Sequence, residues 1–499
     1  MEIVYAAAEM VPFAKVGGLG DVAGALTAVL ARRRHRVTAF LPLYPSVRRH
    51  WTDLAPEEAT RISIRIAGAA REARVWRARV PGTEVALCLV ENDGYFDRPN
   101  PYIDPKTSKD WPDNAERFTF FSRAILETCL ALGWTPDVFH LNDYQVALVP
   151  VLLREEHRDD ALRRCATVLS IHNLGYQGIF PDETGSPTPG ALVRDLGLAP
   201  RLIEPLGPLE YYGRLNFTKA GLIYADLITT VSPTYAREIQ TAEFGSGLDG
   251  VLRDRSDRVI GILNGIDIDV WDPARDSLIP HPYGPSDFPG KAENKRRLLE
   301  AMHLPAHPDL PIVGIISRLV DQKGFDLLAE IADELLAAGG LRLVVLGSGM
   351  PKYEQWIRDL ARSYPQHCAC SLTFDDPLAH LIEAGADYFL MPSRYEPCGL
   401  NQMYSMRYGT IPIVRATGGL ADTVEEFDPR TGRGSGFVFR EYEPEALSAA
   451  IDRALALYPK TRARRALVTR IMKLDFSWDR AAQTYERAYA RVVAERRGA

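Results

Sequence analysis

The chain has no surplus of positive charge: 59 Lys and Arg stand against 65 Asp and Glu, a formal net charge of −6. That balance gives no basic field for a nucleic-acid backbone. No apolar run approaches the length of a bilayer span, so a membrane partner is not expected either. The six cysteines, Cys88, Cys129, Cys165, Cys368, Cys370 and Cys398, lack the paired CxxC spacing of zinc sites. Cys368 and Cys370 stand two apart, on one face of a strand, where packing is the simpler role. The chain opens directly in a strand, with no leader-like pattern, and a reducing, cytoplasmic setting is the expectation. The glycine-rich loop at Lys15 to Asp21 is not the GxGxxG dinucleotide fingerprint.

What is present is a long run of βα alternation in a chain too long for one core. Strands are expected at 2–8, 37–41, 62–66, 75–80, 85–90, 138–141, 167–171 and 226–231. A second series runs at 259–263, 312–316, 343–346, 372–374, 388–391, 411–414 and 437–439. Two domains follow, with a boundary placed near residue 250. In parallel α/β sheets the loops at the carboxyl ends of strands face the ligand crevice. Those loops are where the unusual residues lie.

The stretch Met391 to Val424 holds two such loops. One carries Glu396, Cys398, Gly399 and Leu400; the next carries Thr417, Gly418 and Gly419. The first offers a carboxylate, and the second a glycine pair that lets backbone N–H groups approach an anion. The loop Lys15-Val16-Gly17-Gly18-Leu19-Gly20-Asp21 follows the first strand by the same logic, with Lys15 as a point charge and Asp21 as a helix N-cap or a site residue. Arg318 and Lys323, five positions apart after the 312–316 strand, can both grip a diphosphate. Gly347 closes the next strand and is placed in the nucleotide pocket. Two further strand ends carry Asn142-Asp143-Tyr144-Gln145 and His172-Asn173. A Pro/Asp/Asn-rich excursion at 92–114 contains Tyr102; a loop of that length is usually functional if ordered. Asp267 and Asp269 have the DxD spacing of metal-dependent transferases, but they follow an Asn-Gly pair, and a turn is the better reading.

Together these motifs resemble the bacterial glycogen synthases and plant starch synthases. The likeness is carried by K-V-G-G-L-G-D-V at Lys15, H-N-x-x-Y-Q-G at His172, S-R-x-x-x-Q-K-G at Ser317, S-R-x-E-P-C-G-L-x-Q at Ser393 and T-G-G-L-x-D-T-V at Thr417. It implies an α/β protein of the GT-B fold, two Rossmann-like domains with parallel sheets facing across a deep cleft. The domains would span 1–250 and 251–475, with a terminal helix, 476–499, crossing back to the first.

The implied activity is retaining transfer of glucose from ADP-glucose to an α-1,4-glucan. No metal, other cofactor, nucleic-acid or membrane partner is implied, and oligomeric state is left open. Lys15, Gly17, Gly18, Asp21, Asn173, Arg318, Lys323, Gly347, Cys398, Gly399, Leu400, Thr417, Gly418 and Gly419 would hold the donor. Tyr102, Asp143 and His172 would face sugar or acceptor, and Glu396 would stabilise charge rather than attack. His140 and Asp143 match the family's H-x-H-D-W-H, whereas Asn142, Tyr144 and Gln145 depart from it. Wider retaining enzymes of this fold carry a second glutamate where this chain has Tyr404. UDP-glucose as donor, another acceptor, and a phosphorylase-like reaction are the alternatives.

Overall fold

The computed structural model describes residues 1–66, 68–157, 161–181, 186–307 and 309–498. Two units are defined by internal contacts: Met1–Val231 with Ala236–Ile262 and the segment from Trp478, and Ser232–Tyr235 with Leu263–Ser477.

The first unit is built on β1 (Glu2–Ala6), β2 (Arg36–Pro42), β3 (Thr60–Ile66), β4 (Ala69–Arg79), β5 (Ala86–Glu91), β6 (Val138–Asn142), β7 (Ala166–Ile171), β8 (Leu227–Thr230) and β9 (Val259–Gly261). They form one sheet in the order β9-β8-β7-β6-β1-β2-β5-β4-β3. The strands are parallel except where β4 meets β3 and β5. The burial of their residues explains the two sequence patterns. Strand β7 is buried at all six positions, as expected of a parallel strand covered on both faces, whereas β3 at the sheet edge alternates exposed and buried. The 92–114 excursion is ordered, with a helical turn at Asp93–Phe96 and a hairpin pairing Ile103–Asp104 with Lys109–Asp110.

The second unit is a six-stranded, wholly parallel sheet. Its strands are β10 (Ile312–Ile316), β11 (Arg342–Leu346), β12 (Cys368–Ser371), β13 (Tyr388–Met391), β14 (Ile411–Arg415) and β15 (Phe437–Phe439), in the order β12-β11-β10-β13-β14-β15. Leu343, Val345, Leu390, Ile413 and the helix residues Leu328, Leu336, Met406 and Leu447 share its main core.

Three expectations are corrected. Val259–Gly261 pairs with β8 and completes the first sheet rather than opening the second, so the chain leaves the first unit after Ile262 and not near residue 250. Strand pairing decides this, and no sequence pattern records a partner. Strand β12 lies at Cys368–Ser371, ahead of the expected 372–374; Cys368 is buried and Cys370 half-buried. The first helix, α1, spans Gly18–Arg32 with Gly17 at its N-cap, so Asp21 lies in the first turn and is not the cap.

The final helix, Trp478–Gly498, groups with the first unit. Trp478, Ala481, Ala482, Tyr485, Ala488, Tyr489 and Val492 recur at helical spacing and are buried. Tyr489 Oη lies 2.6 Å from His140 Nδ1, and Glu486 takes a bidentate bond from Arg33, both contacts at 2.8 Å.

Candidate active site

Each sheet has one topological switch point, where successive strands run off in opposite directions from two neighbours. In the first unit it lies between β1 and β6, in the second between β10 and β13. The loops leaving those strands diverge and open a crevice at the carboxyl edge. Every polar group singled out above from the loops after β1, β6, β10 and β13 therefore sits at a switch point.

In the second unit the loops after β10 and β13 meet through Lys323 and Glu396, Nζ to Oε2 at 2.6 Å. Ser393 Oγ donates to the same oxygen at 3.0 Å. Glu396 is 5% exposed, so its charge is compensated by the ammonium and the hydroxyl rather than by bulk water. Around the pair, Asn401 Nδ2 donates to the carbonyl of Ile316 at 2.6 Å and Gln322 Nε2 to that of Tyr395 at 3.2 Å, tying the loop after β13 to the one after β10. Arg318 is exposed at the same edge.

The loop after β14 packs directly on this structure. Gly419 N donates to the carbonyls of Glu396 and Pro397 at 3.2 and 3.1 Å. A Cβ on Gly418, at φ +44, would fall 1.9 Å from the Glu396 carbonyl oxygen, and one on Gly419 2.0 Å from that of Cys398. These two glycines thus let two loops interlock, a requirement that exists before any ligand arrives. Thr417 is buried beside them, and the helix they start is only six residues long, Gly418–Thr423. Gly347 makes a similar close approach, to the carbonyl of Ser317. Gly399 and Leu400 lead into the helix Asn401–Arg407, whose Gln402 Nε2 returns to the carbonyls of Cys398 and Gly399. Burial pushes the Cys398 thiol up to about 12, so it is a neutral packing group at physiological pH. Tyr404 is stacked on Trp271 at 3.9 Å, and Trp271 in turn on His380 at 3.9 Å. Tyr404 thus has an aromatic packing role.

Asp267 and Asp269 sit in a turn: Asp267 Oδ1 accepts from Asp269 N at 2.9 Å. Among the described residues no cluster of three or more His, Cys, Asp or Glu has metal-binding geometry.

In the first unit the organiser is Glu9, which sequence reasoning missed. It is 3% exposed and accepts from the backbone N–H groups of Val16 and Gly17, the latter at 2.8 Å, and from Tyr102 Oη at 2.5 Å. The Lys15 loop is thus held by a carboxylate beneath it, and Tyr102 reaches the same group from the 92–114 excursion. Lys15 pairs with Asp21 at 2.8 Å, on the exposed side. The signal in the sequence was a lone acid directly after an apolar strand, at a carboxyl end. Glu9→Gln is expected to keep the fold but loosen the Lys15 loop, since one carboxylate serving three donors becomes an amide; a several-fold rise in donor KM with kcat less affected is the readout.

Across the switch point, Asp143 adopts φ +58 and accepts from His172 N at 2.8 Å. Burial pushes its carboxyl up to about 7, against the lowering effect of the His172 and Asn173 backbone N–H groups. His172 Nε2 lies 2.9 Å from Asn142 Oδ1, and burial holds the imidazole down at about 4. Gln145 is buried, and its Oε1 has no hydrogen-bond partner among the described residues.

Two doubly wound units with polar, glycine-rich loops at their switch points define a GT-B glycosyltransferase. Comparison with known proteins agrees: residues 2–254 match the starch synthase catalytic domain model and residues 302–468 the glycosyl transferases group 1 model. The chain is 48% identical over 99% of its length to a glycogen synthase of Anaeromyxobacter sp. (strain Fw109-5), all of which is covered. It is 46% identical to glycogen synthase 1 of Methylococcus capsulatus, covering 99% of this chain and 97% of that one. The catalytic domain of starch synthase IV from Arabidopsis thaliana, solved with ADP and acarbose, matches with a TM-score of 0.88 at 35% identity over 99% of each chain. The chain belongs to the glycogen and starch synthase family.

Proposed function

We propose that this protein lengthens an α-1,4-glucan by transferring glucose from ADP-glucose to its non-reducing end, with retention of configuration. The observation that carries this reading is the buried Lys323–Glu396 pair at the second unit's switch point, in a chain that matches glycogen synthases along its whole length. Departure of a nucleoside diphosphate builds negative charge on the leaving oxygen and positive charge at the anomeric carbon. Lys15, Arg318 and Lys323 neutralise the first. Glu396 faces the second as a fixed anion: Lys323 and Ser393 both engage Oε2 and hold the carboxylate in place, which suits charge stabilisation better than covalent attack. His172, Asn173, Asp143 and Tyr102 bind sugar or acceptor. An imidazole held near 4 stays neutral at pH 7, so His172 hydrogen-bonds the sugar without opposing the developing positive charge.

With cations already provided by the chain, no metal is required for turnover. A reducing, cytoplasmic location suits cysteines that are scattered along the chain and mostly buried, as Cys88, Cys129, Cys368 and Cys398 are. The test is incorporation of labelled glucose into glycogen from ADP-glucose and UDP-glucose in parallel, with chelator present. Preferential incorporation from ADP-glucose is expected. Equal or better use of UDP-glucose reassigns the donor, a rate restored only by a divalent ion overturns the metal-free reading, and no incorporation from either donor overturns the acceptor.

A further inference from the structure

The environment of Asn142 determines more about His172 than its position. Asn142 is fully buried at the end of β6, and both ends of its amide are committed. Nδ2 donates to the carbonyl of Ala6 at 2.9 Å, a bond that only the nitrogen can make. Oδ1 is therefore the end that faces His172, and it also accepts from Tyr5 Oη at 3.1 Å. An oxygen with no hydrogen can only accept, so the His172 nitrogen 2.9 Å away must carry the proton. In a neutral imidazole one protonated nitrogen leaves the other as a lone pair. That other atom, Nδ1, makes no hydrogen bond to any described residue, and the ring is half-buried rather than sealed.

We infer that Asn142 is a positioning residue that fixes His172 as the Nε2–H tautomer, so that Nδ1 is presented to the site as a hydrogen-bond acceptor. Only a group that donates can answer it. On the glucosyl-transfer reading, on which this part rests, that group is a sugar hydroxyl acting as donor, and a hydroxyl that merely accepts would be rejected. The Ala6 carbonyl at the end of β1 thereby orients, through one amide, a histidine at the end of β7, two strands away in the sheet. The groups that could disturb the arrangement are Asp143, whose carboxylate takes the His172 backbone N–H, His140 and Tyr5 on the adjoining strands, and Glu9 beyond Asp143. None of them offers Nε2 an alternative acceptor among the described contacts of His172.

Nitrogen-15 NMR of the histidine imidazoles in the intact enzyme, without substrate, reads the tautomer directly. The expected spectrum at neutral pH assigns His172, identified by its loss in His172→Ala, a protonated Nε2 and an unprotonated Nδ1. In Asn142→Leu, which keeps the volume but removes the acceptor, the nitrogens should shift toward a mixture of tautomers, and glucosyl transfer should fall about tenfold, as for one lost hydrogen bond to a neutral partner. A protonated Nδ1 in the wild-type enzyme, a doubly protonated ring at pH 7, or an Asn142→Leu enzyme with the wild-type tautomer and rate would each overturn the proposal. The wild-type spectrum decides it even if the variant fails to fold. A correct tautomer in a protein that transfers no glucose would instead count against the reaction and leave Asn142 in its role.

Discussion

Glu396→Gln is expected to lower turnover by roughly a hundredfold or more while the fold survives, because it removes only the charge opposite the developing positive centre. The shape is kept, and Ser393 and Lys323 can still bond to the amide oxygen. The reciprocal change is expected to cost stability as well. Lys323→Ala leaves a carboxylate with a 7% exposed side chain and no counterion, which for a buried pair costs about 3–5 kcal/mol. Glu396→Ala leaves an ammonium whose side chain is 18% exposed and can turn to water, so its penalty should be smaller. Urea midpoints and single-turnover rates for the three variants separate these effects. A Glu396→Gln enzyme with a near-normal rate would remove that carboxylate from the chemistry, and equal stability losses for the two alanine variants would mean the pair is not desolvated.

Gly418→Ala should be the more damaging single methyl. Its Cβ would meet a backbone oxygen, that of Glu396, at 1.9 Å, in a left-handed conformation that already disfavours a side chain. Neither the loop after β13 nor the one after β14 can give way without breaking the Gly419 N–H bonds that join them. At least about 3 kcal/mol of stability is expected to be lost, with most of the activity, since the displaced carbonyl belongs to Glu396 itself. Gly17→Ala is the control: its N-cap backbone is extended at φ −141 and an added Cβ meets nothing within 4 Å. Near-normal folding of Gly17→Ala beside loss in Gly418→Ala distinguishes close packing from a general need for glycine. Equal tolerance of both would contradict the interlocked loops.

The contrast between these glycines shows where sequence reasoning reached its limit. Both loops were legible as glycine-rich strand ends, and the same motive, approach to phosphate, was assigned to each. In the structure Gly418 and Gly419 are required by carbonyls of the neighbouring loop, whereas the Val16 and Gly17 N–H groups are taken by Glu9. Lys323 and Glu396 were likewise read as separate groups with separate tasks, and the fold joins them at 2.6 Å across 73 positions of chain. Glu9 and Asn142 went unassigned because Glu9 lies outside the motifs and Asn142 departs from one. One works through backbone donors seven and eight residues away, the other through a carbonyl 136 residues away.

By itself the sequence determined the βα rhythm, because parallel strands covered on both faces must be continuously apolar, and it marked which strand-end loops are polar and glycine-rich, because such residues have no place in a core. Its motifs were specific enough to point to the family. Only the tertiary structure decided that Val259–Gly261 belongs to the first sheet, that Lys323 neutralises Glu396, and which nitrogen of His172 holds its proton. Strand pairing, charge compensation and tautomer are each set by the partner that long-range folding brings within hydrogen-bond distance, and that partner is not encoded in the residue's own neighbourhood.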